Sequence, residues 1–408
     1  MTLDRPAGAL GFAAWLLAAT LLLAEVALRV AGLAYPSFYL SDPWRGKALR
    51  PGATGRVRGE TTVALQINSD GLRDREHARA KPDDVFRVVV LGDSYAQASQ
   101  VALQDAFWAV AERRLATCPA FGRRRVEFVN FGVAGYGTGQ ELLTLRHYAW
   151  SYEPDLVLLA FFVGNDVADN SSDLSFEQRP YFRVEGGRLV VDWSFRDRWS
   201  YRLRASPAGA ALYRIVDRSR VAQAVNHILN RWRGRRLAER EGRLSRQGAA
   251  AAIEPGIDVA IYGPPVDATW TAAWQTTEEL LREIQREVEG HGAAMLLVTL
   301  SIGVQVHPDR ALREAFQREL YVPDTFYADR RLETFARDAG ISSLILAPEL
   351  QQYAVAHGVP LHGFATSRLG FGHWNERGHA LAGERIARRI CESPELQGER
   401  PVAGSSDP

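Results

Sequence analysis

Hydrophobic and polar residues alternate along the chain in blocks whose lengths predict strands and helices. The most apolar blocks are short, uninterrupted and rich in Val, Leu and Phe, which is typical of strands buried on both faces of a parallel sheet. Five such strands are predicted, at 86–91, 126–131, 156–162, 294–300 and 343–346. Longer amphipathic blocks between them predict helices at 105–117, 139–150, 268–289, 330–339 and 376–390.

The order of these blocks predicts an α/β fold, a doubly wound parallel sheet with helices on both faces. The alternation stops at about 170–262, which indicates a large, mostly helical insertion. The insertion contains a candidate hairpin, 181–184 with 188–192, and then an Arg-rich helical stretch. In such sheets the reactive groups lie at the carboxyl ends of the strands, so candidate chemistry is sought there.

The N-terminal block has a different pattern. Nineteen residues from Pro6 to Ala24 carry no charge, and as a helix they span about 28 Å, close to the roughly 30 Å hydrocarbon core of a bilayer. The pattern predicts a transmembrane helix within a membrane anchor at 1–34. A cleaved signal peptide is the alternative, and the resumption of apolar residues at Val26–Leu28 argues against it.

Composition changes in the segments that flank the predicted domain. Residues 35–59 are punctuated by proline and glycine, so a stalk is predicted there. Residues 392–408 are rich in Pro, Gly and Ser, so a disordered tail is predicted.

The overall charge excludes some classes of function. The 408 residues hold 49 Lys+Arg and 48 Asp+Glu, a formal charge of +1, which does not call for a nucleic-acid partner. Two cysteines are too few for a disulfide scaffold or a Cys-based zinc site.

Glycines and polar residues follow the first three predicted strands. Ser94 comes directly after the first strand in Gly92-Asp93-Ser94, where a tight turn would expose its hydroxyl group. The second strand leads into the glycine-rich segment 130–137, whose backbone amides can donate to a developing oxyanion. The third ends in Gly164-Asn165-Asp166, and the Asn165 side chain is a suitable further donor. Each motif alone also fits an ordinary turn.

A histidine completes the set. His373 lies in Gly372-His373-Trp374-Asn375, just before the last predicted helix, where a loop would carry its ring over the sheet. His379, about one turn into that helix, is predicted to be structural. In their order Ser, Gly, Asn and His, the four blocks resemble the SGNH (GDSL-like) hydrolase family, and the resemblance covers about 68–390.

This resemblance implies a flavodoxin-like SGNH hydrolase domain over 60–391. It also implies that Ser94 is the nucleophile and His373 the general base. The oxyanion hole would combine the backbone amides of Ser94 and Gly135 with the side chain of Asn165. No metal or cofactor is implied.

More closely, the chain resembles membrane-anchored, extracytoplasmic SGNH proteins that include alginate O-acetyltransferase-like members. The segments that carry this likeness are 68–74, 136–138 and 373–375. The resemblance implies a periplasmic or extracytoplasmic domain that contacts the membrane through the N-terminal helix. Basic residues after that helix, at 29, 45, 47 and 50, do not favour export of the domain, although long domains often translocate regardless of charge.

The implied function is a serine esterase that acts on short-chain or O-acetyl esters through an acyl-enzyme at Ser94. Its substrate would be an acylated glycan or a small ester. One alternative is an O-acyltransferase that acts on a cell-envelope polysaccharide. Another is a catalytically weak binding protein of the same fold.

The triad acid is the one departure from the family pattern. The family has an Asp two or three residues before its histidine, which orients the imidazole and stabilises the imidazolium. Those positions are Gly370 and Phe371 here. A backbone carbonyl could orient His373 instead, another carboxylate, such as one in the insertion, could substitute, or the site could be crippled.

Two further features bear on location and partners. Cys118 follows the first predicted helix of the domain and Cys391 ends the last, so a disulfide between them is expected if these helices are neighbours. The insertion carries many arginines, which could face anionic lipid or an acidic glycan, or simply solvent. These arginines are at 214, 218, 220, 231, 233, 235, 236, 240, 243 and 246.

Overall fold

A computed structural model describes residues 7–175, 177–240 and 253–397. Its strands are β1 (Tyr39–Asp42), β2 (Gly46–Leu49), β3 (Thr54–Arg58), β4 (Thr62–Gln66), β5 (Val85–Gly92), β6 (Arg125–Asn130), β7 (Leu156–Phe162), β8 (Tyr181–Glu185), β9 (Arg188–Asp192), β10 (Ala294–Leu300) and β11 (Ser342–Ile345). Its α-helices are α1 (Ala7–Val30), α2 (Ser94–Gln97), α3 (Phe107–Leu115), α4 (Thr138–His147), α5 (Asp166–Asp169), α6 (Trp199–Ala205), α7 (Pro207–Arg218), α8 (Arg220–Arg240), α9 (Ala268–Gly290), α10 (Gly303–Val306), α11 (Arg310–Glu319), α12 (Tyr327–Asp338), α13 (Leu346–His357) and α14 (Glu376–Cys391).

Five parallel strands form the central sheet in the order β11-β10-β7-β5-β6. Counted along the chain, this is the 2-1-3-4-5 order of flavodoxin-like sheets, so the predicted architecture is confirmed. Every residue of β5 and β7 is buried, because helices cover both faces of the sheet. The five predicted strands agree with the observed ones to within one residue.

Helices α3 and α14 pack together on one face of the sheet. The predicted disulfide is present where both helices end, between Cys118 and Cys391, whose Cα atoms are 5.9 Å apart. Since covering helices run antiparallel to the strands, this bridge lies at the amino edge of the sheet. His373 precedes α14 and therefore lies at the opposite, carboxyl edge.

The segment predicted to be a stalk, 35–59, packs against the domain instead. It contributes β1, β2 and β3, and the antiparallel pairs β1–β2 and β3–β4 form two hairpins. Their apolar residues share a second small core with the loop that follows β6. That core contains Phe38, Leu49, Ala53, Leu65, Ile67, Val133 and Tyr136.

The start of the predicted tail is also folded. Leu396 is buried, and the Gln397 side chain donates hydrogen bonds to the carbonyls of Ile390 and Cys391, at 2.8 and 2.9 Å. The remainder of the predicted tail, 398–408, lies outside the described residues.

The insertion contains the predicted hairpin, β8 with β9, followed by helices α6 to α8. Arg243 and Arg246 lie outside the described residues. At the other end of the chain, α1 contains one stretch of 20 residues, Gly11–Val30, in which an 18-residue window has a mean hydropathy of 2.0. By length and composition it can cross a membrane, and a signal sequence would satisfy the same criterion.

Candidate active site

Ser94 lies at the carboxyl end of β5, on the first turn of α2. Asp93 caps this short helix, since its Oδ1 accepts the backbone N–H of Tyr95 at 2.8 Å. A Cβ atom at Gly92 would lie 2.8 Å from the Cβ of Ala96. Glycine therefore permits the sharp turn that leaves the Ser94 side chain partly exposed at the sheet edge.

His373 approaches Ser94 from the loop before α14. Asn375 caps that helix, because its Oδ1 accepts the backbone N–H groups of Arg377 and Gly378 at 3.1 and 3.2 Å. The cap fixes where the loop ends and the helix begins. His373 Nε2 lies 2.9 Å from Ser94 Oγ, so the structure brings together the two residues predicted to be base and nucleophile.

A carboxylate contacts the other nitrogen of the His373 ring, Nδ1. This carboxylate does not come from Gly370 or Phe371, the positions where the family pattern has its acid. Nδ1 of His373 is 2.6 Å from Oε1 of Glu60, and Glu60 Oε2 accepts the backbone N–H of His373 at 3.1 Å. With Nδ1–H donating to Glu60, the lone pair of Nε2 faces the Ser94 hydroxyl, as a general base requires. Of the three explanations left open by the sequence, the geometry favours a substituted carboxylate.

Glu60 lies in the turn between β3 and β4. Its carboxylate reaches His373 past Gly372, where any side chain would occupy the space that the carboxylate takes. Gly372 has a φ of +86°, and a Cβ atom there would lie 2.6 Å from Glu60 Oε2. The Thr366 hydroxyl donates to the Glu60 carbonyl at 2.5 Å and fastens the tip of the hairpin. Glu60 directly follows the segment 35–59 that the sequence predicted to be a stalk, and β3 of that segment forms one strand of its hairpin.

At Gly370 and Phe371, the two positions where the family pattern has its acid, neighbouring side chains fill the space. Gly370 has a φ of +88°, and a Cβ atom there would overlap the ring of His307. Phe371 is buried, with its ring centroid 5.3 Å from that of His307 and the Arg368 guanidinium 3.8 Å over its face. A carboxylate at either position would meet this packing before it reached His373.

The pKa values of Glu60 and His373 shift in opposite directions. Burial alone would lower the pKa of His373, but the hydrogen bond and the charge of Glu60 outweigh it, so the pKa is raised. Burial would raise the pKa of Glu60, and the contacts with His373 outweigh it, so that pKa is lowered. Both shifts stabilise a carboxylate beside an imidazolium, the state that forms when the base takes a proton.

A second carboxylate, Glu254, binds the backbone of the same loop. Its Oε1 accepts the N–H of Gly303 at 2.9 Å, and its Oε2 accepts the N–H of Gly372 at 2.6 Å. Burial raises the pKa of Glu254 to about 7. Glu254 comes from the insertion, where the sequence analysis placed a candidate acid, but it holds the loop rather than the His373 ring.

Two residues that the sequence did not indicate also hold this loop. The Tyr95 hydroxyl donates to the Gly372 carbonyl at 3.1 Å, and His362 Nδ1 donates to the same oxygen at 2.6 Å. Burial lowers the pKa of His362 to about 4, so its ring is neutral. Its Nε2 then accepts the hydroxyl of Ser301 at 2.9 Å. No sequence motif marks His362, because its role depends on a loop brought close by folding.

The other predicted site residues follow the strands on either side of β5. Gly135 follows β6 and has a φ of +71°, and Asn165 follows β7. A Cβ atom at Gly132 would lie 2.5 Å from that of Ala96, so glycine lets the loop after β6 pack on α2. Ser94, Gly135 and Asn165 therefore share one edge of the sheet, and their roles in an oxyanion hole stay a prediction.

Three more carboxyl groups are buried close to the same edge. The Ser94 hydroxyl lies 3.3 Å from Asp93 Oδ2, and burial raises the pKa of Asp93 to about 6. Burial and the neighbouring acids also raise the pKa values of Glu141 and Asp166 well above their usual range. For Glu141 and Asp166 the shifts favour neutral forms, which oppose a developing negative charge less than carboxylates would.

An open cleft lies beside the Gly135 loop. It joins two cavities of about 390 and 360 Å³, and we call it the hairpin cleft. A Cβ atom at Gly135 would lie 3.0 Å from Nζ of Lys47, which lines the cleft. Gln97 links the cleft to α2, since its Oε1 accepts the Tyr39 hydroxyl at 3.1 Å and the N–H of Ala134 at 2.7 Å. The lining includes Tyr39, Lys47, Arg50, Glu177, Arg204, Tyr213, Arg214 and Asp217.

Comparisons with known proteins give distant structural likenesses. No family model and no curated protein matches the chain. An acetyl xylan esterase shares 12% identity, with a TM-score of 0.38, over 75% of this chain and all of its own. A variant of an acetylxylan esterase from Geobacillus stearothermophilus shares 10%, with a TM-score of 0.38, over 77% of this chain and 96% of its own.

A lipase/acylhydrolase from Enterococcus faecalis shares 13% identity, with a TM-score of 0.35, over 75% of this chain and 95% of its own. Likenesses at this level decide neither the family nor the substrate. The strand order and the contacts among Glu60, His373 and Ser94 are observed in this structure and do not depend on these likenesses. Within the described ranges, no group of three or more His, Cys, Asp or Glu residues is arranged to hold a metal ion.

Proposed function

We propose that this protein is a serine esterase that cleaves short acyl esters, O-acetyl esters in particular, through an acyl-enzyme at Ser94. The observation that carries the proposal is the continuous chain of contacts from Glu60 to His373, at 2.6 Å, and from His373 to Ser94, at 2.9 Å. A serine hydroxyl becomes an effective nucleophile when a positioned base can take its proton.

In the first half of the reaction, Ser94 Oγ attacks the ester carbonyl carbon while His373 Nε2 takes the hydroxyl proton. The Glu60 carboxylate stabilises the imidazolium. The amides of Ser94 and Gly135 and the side chain of Asn165 donate to the oxyanion. When the C–O bond breaks, His373 gives the proton to the leaving alcohol, and the acyl group stays on Ser94.

In the second half, water attacks the acyl-enzyme and His373 takes its proton. The second tetrahedral intermediate collapses, the C–Oγ bond breaks, and His373 returns the proton to Ser94. The acid product leaves and the free enzyme is restored. This chemistry uses only side chains and backbone amides of the protein.

The hairpin cleft supports a polar substrate. It is open, and tyrosine and basic side chains line it, including Lys47 and Arg204. Aromatic rings and guanidinium groups suit the faces and hydroxyl or anionic groups of sugars. An acylated glycan with its ester at Ser94 and its sugar chain in the cleft fits this arrangement better than a long acyl chain.

An extracytoplasmic, membrane-anchored location belongs to the same proposal. The Cys118–Cys391 bridge supports it, because disulfides persist in oxidising compartments. Contacts of α1 with the folded domain support an anchor that is retained rather than cleaved. Arg29 of α1 donates to the carbonyl of Arg218 at 2.6 Å, which ties the helix to the insertion.

The test is covalent labelling of the full chain in detergent with a fluorophosphonate probe, together with hydrolysis of p-nitrophenyl acetate. We expect the wild type to be labelled, Ser94→Ala to lose labelling completely and His373→Ala to label far more slowly. Ser151→Ala and His357→Ala are matched controls, since both side chains are exposed and lie away from the sheet edge that holds Ser94.

Labelling that persists in Ser94→Ala, or a folded wild type that neither labels nor hydrolyses the ester, would contradict the proposal. A melting curve of each variant separates loss of chemistry from loss of fold. Acetyl, butyryl and octanoyl esters measured in parallel test the acyl length, and a preference for octanoyl would contradict the short-acyl part alone.

A further inference from the structure

The C-terminal end of α1 is joined to the turn between α7 and α8 by charged groups. The Glu25 carboxylate accepts two backbone N–H groups of the first turn of α8 and the Ser219 hydroxyl, each at 3.0 Å. Arg29 pairs with Glu25 and donates to the last carbonyl of α7. A negative charge at the start of a helix stabilises it, so α8 is fixed where α1 ends.

Beyond this junction α8 exposes a row of large apolar residues. Val225, Ile228, Leu229 and Trp232, which we call the α8 stripe, are spaced at three and four residues and lie on one face of the helix. Their exposed fractions are 51, 63, 45 and 51%. In an aqueous surface helix this face would be polar, so the α8 stripe indicates a contact with an apolar phase.

The rest of α8 is strongly basic. Its 21 residues contain six arginines and one glutamate. The Arg236 guanidinium lies 3.8 Å over the ring of Trp232, so a cation adjoins the apolar stripe. Arginine with tryptophan beside an aliphatic face is the composition of helices that lie in the headgroup region of anionic bilayers.

We propose that α8 lies on the surface of the bilayer that α1 crosses, with the α8 stripe at the boundary of headgroups and acyl chains and with Arg231 and Arg236 on lipid phosphates. Glu25 is five residues before the end of α1, so α8 starts about 8 Å from that end along the helix axis. If α1 crosses the bilayer, this places the start of α8 at the depth of the interface. The occupant of the stripe is therefore the membrane, and the proposal does not depend on the esterase function.

This contact would orient the whole domain. A single helix leaves a domain free to tilt, whereas a second contact fixes which side faces the lipid. The helix before α8 lines the hairpin cleft with Tyr213, Arg214 and Asp217. The cleft would then open close to the membrane surface, where lipid-linked or envelope-bound substrates lie.

The experiment measures the depth of α8 in lipid with an environment-sensitive probe. Both native cysteines are paired, so Ile228→Cys supplies a single free thiol for an NBD label in the full chain. Asn226→Cys, two residues away on the polar side of the same helix, is the matched control. Each labelled protein is reconstituted into vesicles of phosphatidylcholine with phosphatidylglycerol, with and without a doxyl-labelled lipid as quencher.

We expect the label at 228 to be quenched several-fold more than the label at 226 and to emit at shorter wavelength. Equal, weak quenching at both positions would overturn the proposal. A label at 228 that is shielded from water but not quenched by lipid would also overturn it, because the stripe would then face protein, such as a second copy. An unchanged melting curve for each variant shows that the fold is intact, and this control does not rely on the reactivity of Ser94.

Discussion

Glu60 and Glu254 reach the loop that carries His373 from two regions outside the parallel sheet. Glu60 comes from the β3–β4 hairpin, is partly exposed and binds the ring of His373, and its pKa is lowered. Glu254 comes from the insertion, is buried and binds two backbone amides, and its pKa is raised to about 7. The same chemical group therefore stabilises a charge in one position and a loop conformation in the other, and its partner decides which.

Of the changes that test this difference between Glu60 and Glu254, Glu60→Gln should have the largest effect on kcat. Without the carboxylate, the imidazolium of His373 loses its counter-charge, and we expect kcat to fall by about 10³–10⁴-fold, as for loss of a triad acid elsewhere. Hydrolysis of p-nitrophenyl acetate measures it. Glu185→Gln, at the exposed tip of the β8–β9 hairpin, is the matched control and should leave kcat unchanged. A near-normal kcat in Glu60→Gln would mean that Glu60 does not act as the acid.

Glu254→Gln should affect stability more than rate. A glutamine amide has one acceptor oxygen, so one of the N–H groups of Gly303 and Gly372 would face another donor. We expect a loss of roughly 1–3 kcal/mol in the free energy of unfolding. Denaturant unfolding at pH 4 is the measurement, because that pH lies below both the ordinary pKa of 4.5 and the raised pKa of about 7 of Glu254. The carboxyl group is then mostly neutral in the folded and the unfolded protein, so the lost charge does not confound the comparison. A rate loss as large as that of Glu60→Gln would remove the distinction between the two residues.

The pH dependence separates them further. His373 acts as a base only when neutral, so the labelling rate should fall as the pH falls through its raised pKa. In Glu60→Gln the carboxylate that raises this pKa is gone, and the acid limb should move to lower pH. In Glu254→Gln the limb should move far less. Fluorophosphonate labelling rates across the pH range of histidine titration check both, and an unmoved limb in Glu60→Gln would contradict the assignment.

The smallest effect on the labelling rate should come from removing the disulfide, which lies at the edge of the sheet opposite Ser94. Cys118→Ser with Cys391→Ser removes a bridge between residues 273 apart in sequence. We expect the free energy of unfolding to fall by roughly 2–5 kcal/mol, while the labelling rate at a temperature where the variant is folded stays unchanged. A slower rate under those conditions would mean that the bridge supports the site itself.

The central sheet could be predicted because each strand is a continuous apolar run that is visible in the local sequence. Leu156–Phe162 and Ala294–Leu300 are apolar at nearly every position, as strands buried on both faces must be, and both were predicted with the observed bounds. Ser94 was found because it directly follows a strand that the pattern locates, and His373 because it lies just before a helix that the pattern locates. The disulfide followed from the neighbouring ends of two predicted helices.

Glu60 could not be predicted, for a physical reason. Its partner is 313 residues away, and no local pattern encodes which hairpin tip reaches which loop. The alternating residues of Thr62–Gln66 are compatible with a hairpin strand, but proline and glycine in the preceding stretch favoured a stalk. Helix α13, Leu346–His357, was missed because it starts directly after β11 with no intervening turn signal.

The distance in sequence between Glu60 and His373 also determines when each residue of the site is synthesised. During synthesis the anchor, Glu60 and Ser94 leave the ribosome early, and the histidine follows 313 residues later. At ~5–20 residues per second, this interval is about 15–60 s. The nascent chain carries Ser94 without a base for the last 279 residues of that interval. Under the proposed function, reactivity toward esters therefore begins only when the last helix docks, after nearly the whole chain has been made.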